Sequence, residues 1–214
     1  MIFENRQDAG QQLARTLVRY RDNDDVTVLA LPRGGVVVGA EVARELHTPL
    51  GLVLVRKIGH PAAPEYAIGA VAENEPPVYN KNEIAGISSE WLKSAEESAR
   101  EVIERRRDLY YSDDFVPPAI KNRIVILVDD GMATGLTMDA AARYVTSRGA
   151  HRIVVAVPVA SPESIDLLEE VADEVIVLDS PENFSGAVGA HYRQFEQVDD
   201  YDVEATLLES STGI

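Results

Sequence analysis

The chain has 214 residues, of which 45% are hydrophobic and 26% are charged, and this composition indicates a soluble globular protein of one or two domains. Its 20 lysines and arginines stand against 36 acidic residues, a formal net charge of −16, and such a surface disfavours general nucleic-acid binding because it repels phosphate backbones. The absence of cysteine excludes disulfides, zinc–thiolate sites, iron–sulfur clusters and thiol nucleophiles, and no apolar run approaches the roughly 20 residues that cross a bilayer.

The negative charge is concentrated towards the end of the chain. Between residues 153 and 214 the one basic residue is Arg193, against 14 acids, and the whole chain has 4 lysines. A surface rich in acids and poor in lysine is what a salt-adapted cytoplasm favours, so we expect a salt-adapted organism, the alternative being an ordinary acidic protein. The first residues have no signal-peptide shape, so we expect a cytoplasmic location and no membrane partner.

Apolar runs alternate with helix-like stretches, and this alternation predicts an α/β fold with a mainly parallel central sheet flanked by helices. The predicted order is helix 7–21, strand 26–31, helix 36–46, strand 52–55, loop 57–66, strand 67–72, helix 88–110, strand 123–128, helix 136–147, strand 153–157, helix 162–171 and strand 174–178. Residues 1–180 are expected to form the core, and residues 181–214 a mixed aromatic tail packed on it.

The most informative motif follows the strand predicted at 123–128. Asp129 and Asp130 come at the carboxyl end of that strand, where open α/β sheets bind ligands. Gly131 and Gly135 permit a tight turn and close approach of a ligand to the backbone, and the next helix offers its free N–H groups to an anion. Two acids beside a phosphate cradle suit a sugar phosphate, since the acids accept hydrogen bonds from its hydroxyls.

Two rival phosphate motifs can be compared with this one directly. A Walker A loop requires Lys after its last glycine, but Leu136 follows Gly135, and the Gly-x-Gly-x-x-Gly fingerprint of dinucleotide-binding folds is missing here. Thr134 and Thr137 instead add hydroxyl donors to the turn. A plain strand–turn–helix with incidental acids is the simpler alternative, which the combination of acids, glycines and threonines disfavours.

A second candidate anion loop follows the first strand. Pro32 ends the strand, Arg33 supplies a charged fork, and Gly34 and Gly35 expose backbone N–H groups before a helix. The alternative is a turn that carries a surface arginine.

These motifs together resemble a known family. Residues 128–137, VDDGMATGLT, resemble the signature of type I phosphoribosyltransferases, which bind phosphoribosyl pyrophosphate (PRPP). Residues 31–35 (LPRGG), 56–59 (RKIG) and 184–192 (FSGAVGAHY) resemble a less-characterised branch of that superfamily. The resemblance implies the type I phosphoribosyltransferase fold with a small hood, to which the tail at 181–214 would contribute unless it packs on the core. It also implies a homodimer.

The resemblance assigns roles to individual residues. Asp129 and Asp130 would hold the ribose hydroxyls, and the loop that follows would hold the 5′-phosphate; the PRPP-binding set is Asp129, Asp130, Gly131, Met132, Ala133, Thr134, Gly135 and Thr137. Pyrophosphate would be bound by Arg33, Gly34, Gly35, Arg56 and Lys57, and the catalytic set would be Asp129, Asp130, Arg33 and Lys57. Mg²⁺ would bind through the substrate with no direct protein ligand, Asp129 and Asp130 being able to reach it through water.

The segment after the second strand is expected to cover the pyrophosphate. Arg56 and Lys57 would neutralise it, the alternative being a solvated pair at a strand end. The loop predicted at 57–66 contains one glycine and two prolines, so we expect a mobile lid that excludes water, with His60 and Tyr66 among its candidate contacts. The three arginines at 105–107 are expected to be a solvated helix end, the alternative being a role in phosphate binding.

The expected reaction is transfer of the 5-phosphoribosyl group between PRPP and a small-molecule acceptor, which could be a nucleobase, with release of pyrophosphate. Ala133 and Leu136 replace the acid and the base that hypoxanthine-guanine enzymes carry there, so that activity would need other groups. Phe184, Tyr192 and Phe195 either stack on an acceptor ring or simply pack. The alternative function is a regulatory protein that senses PRPP or a nucleotide without turnover; a receiver-type signalling domain fits the glycine-rich loop less well.

Overall fold

The computed structural model describes residues 1–111, 115–184 and 186–212. In chain order its elements are α1 (Arg6–Thr16), β1 (Val26–Ala30), α2 (Gly34–Leu46), β2 (Leu50–Leu52), β3 (Val55–His60), β4 (Ala63–Ala72), β5 (Val78–Tyr79), α3 (Ser89–Tyr110), β6 (Ile124–Val128), α4 (Leu136–Ser147), β7 (Arg152–Val159), α5 (Pro162–Glu169), β8 (Glu174–Asp179) and α6 (Asp200–Thr212). Ser185 of the tail motif and residues 213–214 of the predicted tail lie outside the described residues.

A parallel sheet of five strands forms the centre, in the order β2-β1-β6-β7-β8, which confirms the predicted α/β fold with its mainly parallel sheet. The strands are short runs of valine, isoleucine and leucine buried by the helices, as parallel strands usually are. The register pairs Ala30 with Val128, so β1 and β6 end side by side at their carboxyl ends. The loops that follow these two strands therefore begin next to each other.

A small antiparallel sheet, β3-β4-β5, forms a separate layer against α3 and α4, and we call this layer the hood. It is built from residues 55–79, whereas the tail at 181–214 was expected to contribute to a hood. The strand predicted at 52–55 is divided, because the chain leaves the central sheet after Leu52 and enters the small sheet at Val55. The prediction of a loop at 57–66 is wrong, because these residues form most of the β3–β4 hairpin, which turns at Pro61 and Ala62. The expected mobility of the segment stays a prediction.

Close strand approach explains the glycine in this hairpin. A Cβ atom on Gly59 would lie 2.0 Å from the carbonyl oxygen of Pro64, so the two chains approach there more closely than a side chain would permit. The register shifts on both sides of Gly59, where the pairing runs from Ile58–Gly69 to Gly59–Ala67. Glycine and proline thus mark an irregular hairpin here, whereas in the sequence they suggested a loop.

The chain ends pack on the central layer. The side chain of Tyr192 is buried against Phe3, with ring centroids 5.5 Å apart. Val203 and Leu207 of α6 are buried in the main core cluster beside α2 and β2. In the described ranges, no helix combines the length and the apolar character that a bilayer span requires.

Candidate active site

Two carboxylates lie at the centre of the site, directly after β6. The backbone N–H of Asp130 donates to Asp129 Oδ1 at 2.8 Å, and Arg6 Nε donates to Asp130 Oδ2 at 2.7 Å. Both side chains are only partly exposed, Asp130 to 16%. The end of the strand and the N-terminal helix α1 hold them in place.

Burial governs the ionisation of this pair. It raises the pKa of Asp129 well above its ordinary value, and the negative charge of Asp130 raises that pKa further. Burial also raises the pKa of Asp130, against the opposing charge of Arg6. Ionisation of both acids in the empty site is therefore costly, and the site is suited to ligands that bring hydroxyl donors or a cation.

The loop predicted to hold the 5′-phosphate follows these acids without a break. Gly135 has φ +72° and immediately precedes α4, so the first turn of the helix presents N–H groups without a side-chain cap from that residue. The backbone N–H of Met132 donates to the carbonyl of Val159 at 2.9 Å, and Ser161 Oγ donates to the carbonyl of Ala133 at 2.8 Å. These bonds fix the loop to the end of β7, while the side chains of the two loop threonines stay partly exposed.

The predicted pyrophosphate loop touches the carboxylates. A Cβ atom on Gly34 would lie 2.0 Å from Asp130 Oδ2, and one on Gly35 would lie 2.8 Å from Asp129 Oδ1. The backbone N–H of Leu31 donates to the carbonyl of Val128 at 2.9 Å, which joins the two loops at their start. The structure thus brings together the two anion loops that the sequence predicted. The Pro32–Arg33 peptide, within the first of these loops, is cis.

The two bases on β3 lie on the hood. Lys57 Nζ donates to Glu65 Oε2 at 2.8 Å across the hairpin, and Glu65 is 96% exposed, so a polyanion can replace it at small cost. Arg56 is exposed beside Lys57 on the same strand. Both line a cavity of about 380 Å³ between the hairpin and α3, whose wall also contains Trp91 and His60.

Residues from the chain ends complete the site, and among them Arg6 was not indicated by any sequence pattern. The guanidinium of Arg6 lies 3.8 Å from the centroid of the Phe195 ring while it donates to Asp130. The hydroxyl of Tyr192 donates to the carbonyl of Asp130 at 2.6 Å, and burial, with the carboxylates nearby, raises the pKa of this phenol. Tyr192 is 6% exposed, so of the two roles left open for it the structure favours packing. Phe184 stacks on His191, with centroids 5.1 Å apart.

One arginine of the run at 105–107 is placed differently from its prediction. Arg106 is 13% exposed, and its charge lies close enough to Arg33 and Arg56 for both to affect its pKa. The prediction of a solvated helix end is therefore wrong for Arg106, although Arg105 is exposed as expected. The helical period separates the two neighbours, because successive residues point about 100° apart around the axis.

Comparisons with known proteins agree with this geometry. A model of the phosphoribosyl transferase domain matches residues 2–194. A crystal structure of TT1426 from Thermus thermophilus is 45% identical, covers 98% of this chain and 99% of that one, and has a TM-score of 0.77. AQ2163 from Aquifex aeolicus, at 13% identity and a TM-score of 0.51, shares the fold alone.

A curated relative is considerably longer than this chain. Rv0571c of Mycobacterium tuberculosis strain H37Rv, provisionally named a phosphoribosyl transferase, is 38% identical over 209 residues, which are 96% of this chain and 46% of the relative. The chain thus spans about half the length of the curated relatives it matches. The domain match and the paired loops lead to one conclusion: the chain belongs to the phosphoribosyl transferase family, with the type I fold.

Proposed function

We propose that this protein transfers the 5-phosphoribosyl group of PRPP to a small-molecule acceptor and releases pyrophosphate. The observation that carries the proposal is the contact between the two anion loops, in which Gly34 and Gly35 lie against the carboxylates of Asp130 and Asp129. A ligand with a diphosphate at one end, hydroxyls in the middle and a phosphate at the other end matches the order of groups along this surface. PRPP has that layout.

The proposed reaction needs no side-chain nucleophile. A bond forms between the acceptor atom and C1 of the ribose, the bond from C1 to the pyrophosphate oxygen breaks, its electron pair leaves with pyrophosphate, and the acceptor's proton passes to solvent. Asp129 and Asp130 would orient the ribose through its hydroxyls. Arg33, Arg56 and Lys57 would stabilise the charge that grows on the leaving group, which is the main catalytic contribution in this scheme.

Magnesium fits the donors at this site. The ion prefers oxygen ligands and is commonly held by one or two carboxylates together with substrate phosphates and water. Asp129 and Asp130 offer such oxygens, and a cation would offset the cost of ionising them that their raised pKa values reflect. Within the described ranges no group of three or more histidine and acidic side chains could form a cage, so substrate oxygens would supply most of the ligands. When bound, magnesium would neutralise charge on the pyrophosphate.

We place the acceptor in the cavity between the hairpin and α3. Arg56 and Lys57 line it on the hairpin, and the half-buried Trp91 lines it from the helix, so an aromatic face borders the cations proposed for pyrophosphate. A flat heterocyclic acceptor of the nucleobase type would suit this wall.

The test is pyrophosphate release from PRPP with Mg²⁺ and a panel of nucleobases, using wild type, the double variant Asp129→Asn/Asp130→Asn and the control Asp108→Asn. Asp108 is an exposed acid on α3. Release that depends on an acceptor and is lost only in the double variant supports the proposal. Calorimetric binding of PRPP without release under any condition supports the sensor alternative, and a lack of PRPP binding by wild type contradicts both. Circular dichroism checks that the double variant is folded.

A further inference from the structure

At the pyrophosphate loop, Arg33 belongs to a cluster whose other members, Arg106, Tyr110 and Asp200, have no part in the reaction scheme above. The carboxylate of Asp200, the first residue of α6, accepts a hydrogen bond from the Tyr110 hydroxyl through Oδ1 at 2.5 Å. The same oxygen lies 3.8 Å from Arg33 Nη1 and 3.9 Å from Arg106 Nε. One carboxylate oxygen on α6 is thus shared by Arg33, which directly precedes α2, and by Arg106 and Tyr110, which are both on α3.

Arg106 in this cluster lacks close hydrogen-bond acceptors for its Nε atom among the residues that the structure describes. Arg106 Nε is buried and has no hydrogen-bond partner among the described residues, and its nearest acid lies 3.9 Å away. A buried guanidinium group normally makes close, often paired, hydrogen bonds to an oxyanion. A buried arginine with its nearest carboxylate at this distance is therefore typical of a site that binds an oxyanion.

The balance of charge supports the same interpretation. Burial lowers the pKa of the Arg106 guanidinium, Tyr110 and Asp200 oppose that shift, and the positive charges of Arg33 and Arg56 add to it. Three guanidinium groups therefore share one region, and in the described part of the chain Asp200 is the acid whose charge acts on Arg106 there. A single carboxylate leaves positive charge in excess, whereas a pyrophosphate group brings several negative charges and more acceptor oxygens.

We propose that Arg106 is a third arginine of the pyrophosphate site, and that the Asp200 carboxylate occupies this site in the empty protein in competition with the pyrophosphate group of PRPP. This inference rests on the proposed function. The competition needs only a rotation of the Asp200 side chain, because α6 is anchored three and seven residues further on by the buried Val203 and Leu207. The C-terminal helix would then set the affinity of the site for its leaving group.

The test is calorimetric titration of the full chain with inorganic pyrophosphate in the presence of Mg²⁺. Arg106→Ala should weaken binding about tenfold or more, the loss expected for one charge-assisted contact. Arg105→Ala removes the same charge from the exposed neighbour and should change the affinity less than about twofold. Equal effects of the two substitutions would overturn the role of Arg106.

The competition is tested with a second matched pair. Asp200→Asn removes the carboxylate charge but keeps the oxygen that accepts from Tyr110, and it should tighten pyrophosphate binding severalfold. Glu204→Gln removes one charge a single turn further along α6 and should have little effect. Unchanged or weaker binding by Asp200→Asn would refute the competition.

The outcome also separates this inference from the proposed function. If wild type binds PRPP and releases pyrophosphate but Arg106→Ala behaves as Arg105→Ala does, this inference alone fails. If wild type binds neither PRPP nor pyrophosphate, both fail together.

Discussion

At the scale of single residues, the buried carboxylate of Asp129 is held where it is costly to ionise. A carboxyl group whose pKa is raised by folding stabilises the fold below its unfolded pKa, and that stabilisation is lost as the pH rises through the folded pKa. At neutral pH, Asp129 therefore favours binding at the expense of stability. Carboxyl groups with perturbed pKa values are typical of functional sites, since a bound ligand can offset the stability that the empty protein loses.

This balance predicts that Asp129→Asn stabilises the empty protein. The amide keeps an oxygen for the N–H of Asp130 but removes the buried charge. We expect the melting temperature at pH 8 to rise, by about 2–4 °C for each kcal/mol gained in a chain of this size. The rise should shrink at pH 5, where wild-type Asp129 takes up a proton more readily. Thermal unfolding by circular dichroism at the two pH values measures the difference.

Asp130→Asn is the matched comparison. It removes a neighbouring charge but also breaks the partly buried ion pair with Arg6, so we expect a smaller gain or a net loss of stability. If both variants are destabilised equally at pH 8, the charge of Asp129 does not lower the stability of the empty protein.

Arg33 should act on one end of PRPP only. It lies in the loop assigned to pyrophosphate and 3.8 Å from Asp200, whereas the 5′-phosphate is assigned to the separate loop at 131–137. Arg33→Ala removes a charged fork worth about 1.5–3 kcal/mol, so PRPP binding should weaken by about tenfold or more. Binding of ribose 5-phosphate should stay nearly unchanged. Calorimetry with both ligands measures the ratio, and equal losses would refute this division of roles.

Sequence reasoning identified the site residues that lie in short motifs, and it missed those whose partners are distant along the chain. The carboxylates and the two glycine loops follow single strands, so short motifs indicated them. Arg6 meets Asp130 across 124 positions, and no local pattern carries that contact. The sequence shows Arg106 as one of three consecutive arginines, and only the orientation of α3 against the hood distinguishes it from the exposed Arg105.

At the scale of elements, the β3–β4 hairpin shows why glycine and proline were misread. Pro61 lies in the turn, and Gly59 lies where a backbone carbonyl approaches to 2.0 Å from the position of a Cβ atom. Both residues interrupt apolar alternation, which is the signal that predicts a strand. The interruption reflects an irregular pairing that only the partner strand explains. Because most of residues 57–66 are paired in this hairpin, small movements of its tip suit the protein better than a large closure of the whole segment.

The hairpin predicts a specific sensitivity at Gly59. In Gly59→Ala the new methyl group meets backbone rather than a flexible side chain, so the strands must separate, at a cost of about 1–3 kcal/mol. Because Arg56 and Lys57 lie on the same strand, pyrophosphate binding should weaken as well. Hydrogen exchange of the β3 and β4 amides and a pyrophosphate titration measure the two effects. Ala62→Ser in the exposed turn is the control, and protection in Gly59→Ala equal to that of the control would contradict the close approach.

At the scale of the whole molecule, the alternation of strands and helices was sufficient to predict the central sheet, because each parallel strand is a buried apolar run. The division of the second strand between two sheets was not predictable, since Leu52 and Val55 belong to one continuous apolar segment. The position of α6 was missed for a related reason: its buried residues, Val203 and Leu207, are too few to give a strong amphipathic pattern. The surface charge, by contrast, is fully given by the sequence.

The last prediction concerns this charge and the expected salt-adapted origin. A formal net charge of −16 on 214 residues disfavours the compact state through self-repulsion, and the acidic final third of the chain includes α6 against the core. Raising KCl from 0.1 M to 1 M shortens the screening length from about 10 Å to about 3 Å, which weakens this repulsion more than it weakens the exposed ion pairs, each worth at most about 1 kcal/mol.

We therefore expect the unfolding midpoint to rise by several degrees between low salt and molar KCl. Sucrose at equal osmolality is the control for solvent effects that do not depend on charge, and it should give a smaller rise. Repeating the KCl series near pH 5 reduces the number of ionised acids, so the salt-dependent rise should shrink there if repulsion is its cause. A midpoint that stays flat or falls with KCl at pH 7 would show that ion pairs outweigh the net charge, and the protein would then be an ordinary acidic one.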